Sequence, residues 1–142
     1  MSASHFRELE VWQIAMSLAK CVYELTSSFP KEERYGLSSQ LQRCAVSIPS
    51  NIAEGNARAS MRDYARFVSM ALGSSAELQT QLLLSAELGL GDESVRARAM
   101  ESCERVGQML QRLRQALGRR LEFESRVPSP ESRISEEAEE YL

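Results

Sequence analysis

The chain of 142 residues is poor in the residues that favour tight turns, with seven glycines and four prolines. It is also poor in residues that commonly act in catalysis or metal binding, with three cysteines and one histidine. An all-β fold needs many tight turns, so the few glycines and prolines and an aromatic share of 6% argue against it. Cys21, Cys44 and Cys103 are odd in number and show no CxxC spacing, which excludes a disulfide framework or zinc site as the expected use. We expect reduced thiols that pack as small apolar groups.

Catalytic and metal-binding patterns are also missing. Ser-His-Asp and Cys-His catalysis needs an imidazole beside the nucleophile, and the single histidine is His5, close to the first residue. Glu-x-x-His pairs, which hold di-iron centres in helical bundles, do not occur, and neither does a GxxxxGK[ST] phosphate loop. We therefore expect a protein that is not an enzyme and has no cofactor, metal or small-molecule substrate.

Long apolar runs are absent as well. No stretch approaches the roughly 18 residues that cross a bilayer. The opening MSASHFRELE lacks the basic and apolar regions of a signal peptide. Together with 43% hydrophobic and 26% charged residues, this predicts a cytoplasmic globular protein that does not contact a membrane.

Four segments have the helical period, with apolar residues at spacings of three and four. The first segment is predicted from Phe6, ahead of its periodic residues, to the break at Phe29-Pro30. Gly89-Leu-Gly91 ends the third segment, and the fourth is predicted to end at about Leu121. Because short connections make neighbouring helices antiparallel, we predict an all-α, up-down-up-down four-helix bundle over residues 1–121. The periodic positions are Val11, Ile14, Leu18, Val22 and Leu25; Leu37, Leu41, Ala45, Ile48 and Ile52; Tyr64, Phe67, Ala71, Leu72, Leu78, Leu82 and Ala86; and Val95, Ala99, Cys103, Val106, Leu110, Leu113 and Leu117.

Pro49 lies in the middle of the second periodic segment. The apolar phase passes through it without a slip, which predicts a continuous helix that is kinked at the proline. Proline lacks an N–H and crowds the carbonyl four residues earlier, at a cost of about 3 kcal/mol in a helix interior. We expect Ser47, Ser50 and Asn51 to offer side-chain partners to the freed backbone groups. The alternative is that Asn51 caps a new short helix, with Glu54 completing a capping box.

The first two helices carry more apolar surface than one bundle core requires. Beside the main stripe, each has a second apolar stripe displaced around the helix. We interpret the surplus as a subunit interface, because contiguous exposed apolar patches mark association sites; a wide core stripe is the alternative. The residues assigned to this interface are Leu9, Trp12, Met16, Tyr23, Val46 and Ala53, next to Ala19 and Pro49.

Two further features of the helices concern small and polar residues. Gly73, Ser74 and Ser75 favour a close approach between helices near the predicted kink. A polar row on the second helix is expected to be a solvated face, with the lining of an oligomer pore or partner groove as the alternative. This row consists of Gln40, Arg43, Ser47, Asn51 and Glu54.

Arginines form two rows at helical spacing, one where the third helix begins and one along the fourth. Such rows are suited to phosphate contacts. We expect a solvated face in which Glu101 and Glu104 pair with the second row at i,i+3 or i,i+4, and contact with nucleic acid is the alternative. The candidate nucleic-acid-binding residues are Arg58, Arg62 and Arg66, and Arg98, Arg105, Arg112 and Arg119.

The charge of the chain is uneven. Residues 122–142 contain two arginines and seven glutamates, a net −5, so the net charge of −3 leaves +2 for residues 1–121. This segment also contains two prolines and four serines. We expect a mostly disordered acidic tail, whose negative charge is of the sign needed to compete with nucleic acid for the arginine rows.

Four stretches together resemble a known family: VWQIA, FPKEERYGL, QLQRCAVSIPSNIAEG and RFVSMALGSSAELQTQLLLSAELG. They are similar to the four-helix bundle proteins encoded in intervening sequences of bacterial 23S ribosomal RNA genes, over about residues 6–120. The resemblance implies a ring-shaped homopentamer and no catalytic residue. It also implies structural roles for Pro49, Asn51, Glu54, Gly55 and residues 73–78.

A distant relative of that family is the accessory variability determinant of diversity-generating retroelements. It is a basic pentamer that works with a reverse transcriptase and nucleic acid, whereas this chain has a pI of about 5.3. Two hypotheses follow. The first is a homopentameric scaffold or adaptor for a protein or nucleic-acid partner, and the second is an RNA- or DNA-binding accessory protein that uses the arginine rows, including Arg105 and Arg112.

Overall fold

The computed structural model describes residues 5–126, and these residues form helices and connections without a strand. The predicted all-α class and the four helices are confirmed. Short 3-10 turns precede the first and second α-helices, at Phe6–Glu8 and Lys31–Glu33. The α-helices are α1 (Glu10–Thr26), α2 (Leu37–Asn56), α3 (Met61–Glu87) and α4 (Glu93–Arg126).

The helices pack around one core in the order of the chain. α1 packs against α2 and α4, and α3 packs against the same two helices. Cys44 and Asn56 of α2 contact Ser74 and Tyr64 of α3, so the sequence numbers run in opposite directions along this pair. Contacts of this kind fit the predicted antiparallel bundle. Each helix places fully buried leucines in the common core, namely Leu18 and Leu25, Leu41, Leu78 and Leu82, and Leu110.

Two helix ends differ from the prediction. Residues 6–8 form a 3-10 turn, and Leu9 is extended with ψ of 123°, so α1 begins at Glu10. The fourth helix continues past 121 to Arg126. Part of the segment predicted as a tail, residues 122–126, is therefore helical, and the rest of that prediction lies outside the described residues.

The second helix runs through Pro49 without interruption, so the alternative in which Asn51 caps a new helix is wrong. Ser47 Oγ donates to the carbonyl of Cys44 at 2.7 Å, and Asn51 Nδ2 donates to the carbonyl of Ser47 at 2.8 Å. These bonds support the backbone beside the proline but do not involve the carbonyl of residue 45. The bend at Pro49 stays a prediction.

α2 and α3 approach each other closely at Gly55. A Cβ placed there would lie 2.7 Å from Phe67 Cβ and 3.1 Å from Tyr64 Cδ1. Gly73, where the sequence predicted the close approach, has open space around its Cα. The glycine of the SIPSNIAEG stretch therefore lies where a side chain would overlap α3.

The third helix departs from its predicted apolar phase near its end. Ser85 and Gln81 are buried, whereas Ala86 is exposed. On a helical wheel Gln81 and Ser85 lie on one side of Leu82 and Ala86 on the other, so the buried face of α3 is shifted toward the Gln81 side at this end. The buried hydroxyl of Ser85 has a hydrogen-bond partner, because its Oγ donates to the carbonyl of Leu82 at 2.7 Å.

The connection from α3 to α4 follows the glycine signal read from the sequence. Gly89 and Gly91 have positive φ values of 67° and 81°. Asp92 then caps α4, because its Oδ1 accepts the N–H of Val95 at 3.0 Å and the Ser94 hydroxyl at 2.6 Å. The Ser94 hydroxyl and the backbone N–H groups that favour the carboxylate lower the pKa of Asp92 below 3.8.

Candidate functional site

An open apolar groove lies between α1 and α2 and has a volume of about 630 Å³. It brings together five of the six predicted interface residues; the sixth, Leu9, is half-buried and packs against the core instead. Lys20 is the one charged side chain among those that line it. The lining residues are Phe6, Trp12, Met16, Ala19, Lys20, Tyr23, Val46, Pro49, Ser50 and Ala53.

Antiparallel packing explains why the groove gathers residues from two parts of the sequence. Trp12, Met16 and Tyr23 recur at spacings of four and seven on one face of α1, and the second apolar stripe of α2 faces them. Phe6 reaches back from the 3-10 turn and meets the Trp12 ring edge-on, with 5.2 Å between centroids. Sequence reasoning missed Phe6 because it precedes the helical periodicity.

The groove has a buried floor and exposed walls. Ala19 and Pro49 are buried, whereas Met16, Tyr23 and Val46 are 37%, 50% and 42% exposed. Covering apolar surface stabilises by about 25 cal/mol per Å². A partner that filled this groove would therefore gain free energy from side chains that the single chain leaves in water.

The predicted polar row of α2 is divided in the structure. Ser47 and Asn51 bond to the backbone of their own helix, and Glu54 pairs with Arg58 at 2.9 Å. Arg43 lies in a small cleft that also contains Tyr23 and borders the apolar groove. The row therefore does not form one continuous polar surface.

The arginine row of α4 is used in two ways. Arg98 pairs with Glu24 at 3.2 Å and Arg105 pairs with Glu10 at 2.9 Å, so both tie α4 to α1. The expected pairing within α4, with Glu101 and Glu104, is not formed among the described residues. Such partners on another helix leave no local pattern in the sequence.

Arg112 and Arg119 continue this row, but both are exposed and have no carboxylate within 4.0 Å in the described part of the chain. The reason is the length of α4. Glu10, the partner of Arg105, is the first residue of α1, so the later turns of α4 have no α1 beside them.

The other arginine row lies around Phe67. Arg58 precedes α3 and pairs with Glu54, while Arg66 lies 3.8 Å from Asp63. Their guanidinium carbons are 5.0 Å and 4.7 Å from the centre of the Phe67 ring, within cation–π range. These two arginines have partners within the protein.

Arg62 belongs instead to the end of the bundle. It lines a cleft with Leu121 and Glu124 of α4, and Glu124 also lines the neighbouring cleft that contains Arg119. The structure therefore brings one member of each predicted row to the same end. Sequence reasoning treated the rows as separate because their members are far apart along the chain.

Sequence reasoning also missed Arg120, Phe123 and Arg126. Arg120 and Phe123 line the cleft at the end of α4, and the Phe123 side chain is 69% exposed. Phe123 and Arg126 lie beyond the predicted end of the fourth helix at about residue 121, and Arg120 lies outside the heptad row of Arg112 and Arg119. The available signal was the heptad spacing, which continues from Arg119 to Arg126.

The thiols are in environments that suppress reactivity. Burial raises the pKa of Cys44 to about 12, and its Sγ donates to the carbonyl of Ser74 at 3.0 Å. Burial also raises the pKa of Cys21 and Cys103 above 9.0. Because the thiolate is the nucleophile and the metal ligand, these cysteines are poor candidates for either role.

Residues 5–126 contain neither a cluster of metal-ligand side chains nor a helix that could span a bilayer. No group of three histidine, cysteine or acidic side chains gathers there in a way that would hold a metal ion. None of the helices in this part of the chain combines the length and the apolar character that a membrane crossing demands.

The fold and the groove define a small four-helix bundle with an open apolar face. Residues 7–112 match the model of the 23S rRNA-intervening sequence protein family, and the chain belongs to this family. The match ends at residue 112, so about the last four turns of α4 lie beyond it. No curated protein matches the chain.

Proposed function

We propose that the protein is a non-enzymatic scaffold or adaptor that acts as a homo-oligomer, with five copies as the expected number. It works in the cytoplasm on a protein or nucleic-acid partner, without a membrane, cofactor or small-molecule substrate. The observation that carries the proposal is the α1–α2 groove, in which five residues selected for surplus hydrophobicity lie together. The homopentamer implied by the family resemblance supports it.

Groove chemistry supports association through apolar contact. Trp12, Tyr23 and Met16 are the kinds of side chain that are enriched at interface centres. Lys20 is the one charged residue of the lining, so charge pairing across the groove contributes little. We expect an oligomer whose mass does not change between low and near-physiological salt.

The test is a pair of substitutions that place the same charge on two exposed apolar positions. Val46→Lys alters the groove, and Leu83→Lys alters an exposed leucine of α3, 56% exposed, that does not line it. Light scattering after size-exclusion chromatography measures the mass, and circular dichroism measures helix content. We expect Val46→Lys alone to reduce the mass toward 16.0 kDa while helix content is kept. An unchanged mass for Val46→Lys would contradict the proposal.

A second candidate function is supported by Arg112 and Arg119. Both are exposed and lack a carboxylate within 4.0 Å among the described residues, so their guanidinium groups are available to phosphates. We infer a nucleic-acid-binding accessory role, in support of an RNA- or reverse-transcriptase-linked process. The net charge of −3 argues against tight non-specific binding and favours a localised contact.

The test of this second function compares two arginines of the same row. Arg112→Gln removes a free cation, whereas Arg98→Gln removes one already paired with Glu24. Fluorescence anisotropy of labelled RNA, measured over a range of salt, should show weaker binding and a salt slope smaller by about one for Arg112→Gln only. Equal effects of the two substitutions would refute a specific role for the unpaired arginines.

A further inference from the structure

We propose that the end of α4 is a platform for single-stranded nucleic acid, on which Phe123 stacks against a base and Arg119 and Arg126 contact the flanking phosphates. The inference rests on the second proposed function and deepens it by naming the site and the strand state. It depends on residues that lie beyond the part of the chain matching the family.

The three side chains share one face of α4. They follow each other at i, i+4 and i+7, which confines them to an arc of about 60° around the helix. All three are exposed, and the ring of Phe123 is 69% exposed. Arg112, one heptad before Arg119, extends the same face, so a chain of phosphates meets several cations in a row.

This face points away from the rest of the bundle. Arg105 pairs with the first residue of α1, so α4 extends beyond the start of α1 after this point. The length of α4 from Arg105 to Arg126 is about 30 Å. The 3-10 turn at Phe6–Glu8 packs against α1 and α2 and does not cover this length of α4.

The opposite face of the same turns is anchored to the bundle. Leu117 is buried, and Leu121 lies in the cleft formed with Ser60 and Met61 at the beginning of α3. The exposed row therefore begins on turns of α4 that pack against the bundle.

The combination of groups selects the ligand. Arginine forks bind phosphate oxygens, and an exposed aromatic ring offers a stacking surface to a base. Bases of a duplex are already stacked on each other, so only a single strand can use Phe123. An acidic peptide would use the arginines and leave the ring in water. Glu124 lies about 100° from Phe123 and away from the row, whereas Glu122 lies one helical turn from both Arg119 and Arg126. No ion pair within 4.0 Å joins Glu122 to either arginine among the described residues, so both guanidinium groups are open to phosphates.

The experiment uses the full chain with a labelled unstructured single-stranded RNA and with the duplex made from it and its complement. Phe123→Ala removes the ring, and Phe123→Trp keeps a stacking surface. Tyr35→Ala is the matched control, because Tyr35 is 89% exposed and has Arg34 5.7 Å from its ring, but lies in the α1–α2 connection. Anisotropy at low and near-physiological salt measures affinity, and circular dichroism verifies folding.

We expect Phe123→Ala to weaken single-strand binding by about tenfold, with little change for the duplex, whereas Phe123→Trp and Tyr35→Ala bind like the unchanged chain. If Phe123→Ala has no effect while Arg119→Gln weakens binding, the stacking platform is wrong and the second proposed function stands. If Phe123→Ala weakens single strand and duplex equally, stacking is also refuted. If the unchanged chain binds neither nucleic acid at low salt, both ideas fail.

Discussion

Replacing Gly55 with alanine tests whether the spacing of α2 and α3 depends on the absence of a side chain at that position. The added Cβ would lie 2.7 Å from Phe67 Cβ and 3.1 Å from a Tyr64 ring carbon. The first of these atoms is fixed to the backbone of α3, so a rotamer change cannot move it away. The two helices must separate, or the variant must bear the overlap.

The size of the effect follows from two opposing contributions. Alanine is more favourable than glycine in a helix interior by about 0.8–1.0 kcal/mol, and by less at Gly55, which is the penultimate residue of α2. Overpacking a closely packed site costs about 1–3 kcal/mol. We expect Gly55→Ala to lower the free energy of unfolding by about 1–2 kcal/mol.

Gly73→Ala provides the matched control, because Gly73 is also helical but has no neighbour within 4 Å of the added Cβ. It should raise the free energy of unfolding by about 0.5–1 kcal/mol. Urea unfolding at one protein concentration, followed by circular dichroism, measures both variants. The reasoning is refuted if Gly55→Ala is as stable as Gly73→Ala.

Three further outcomes are expected. Gly91→Ala should destabilise the protein more than Gly89→Ala, as measured by thermal unfolding. Both glycines have positive φ, but only a Cβ at Gly91 would contact a neighbour, Leu25 Cδ1, at 2.6 Å. Cys44 should react with a thiol reagent about a thousandfold more slowly in the folded than in the unfolded chain, because burial raises its pKa from 9.0 to about 12. Because this thiol ionises at lower pH in the unfolded chain than in the folded chain, the free energy of unfolding should fall as pH rises above 9.0. Equilibrium unfolding at several pH values measures this dependence. A chain ending at Arg126 should bind RNA more tightly at low salt than the full chain, since residues 127–142 hold five glutamates and one arginine; anisotropy measures the difference.

Much of the fold is predictable from the sequence, because the apolar period of α1, α2 and α4 agrees with the residues that are buried. Helix ends were harder to predict. The start of α1 depends on the extended backbone of Leu9, and α4 continues through polar residues that have no periodic apolar signal. The close approach at Gly55 depends on Phe67 and Tyr64 of another helix, so no local pattern distinguishes it from Gly73.

The candidate sites were predictable to different degrees. Surplus apolar residues such as Met16 and Val46 were visible because each helix can be examined by itself, and antiparallel packing then brings them into one groove. The same examination of single helices does not distinguish paired from unpaired arginines. Whether Arg105 is paired and Arg119 is unpaired depends on where α1 begins relative to α4, which only the assembled bundle shows.

The mass of the unchanged chain in solution is the most direct test of the proposed homo-oligomer. Sedimentation velocity over a range of protein concentrations separates a stable assembly from a weak association. A homopentamer predicts one species of about 80 kDa, five times the chain mass of 16.0 kDa, that persists on dilution to micromolar concentration. A single species of 16.0 kDa at that concentration would contradict the account, because the α1–α2 groove would then be an open surface of a monomer.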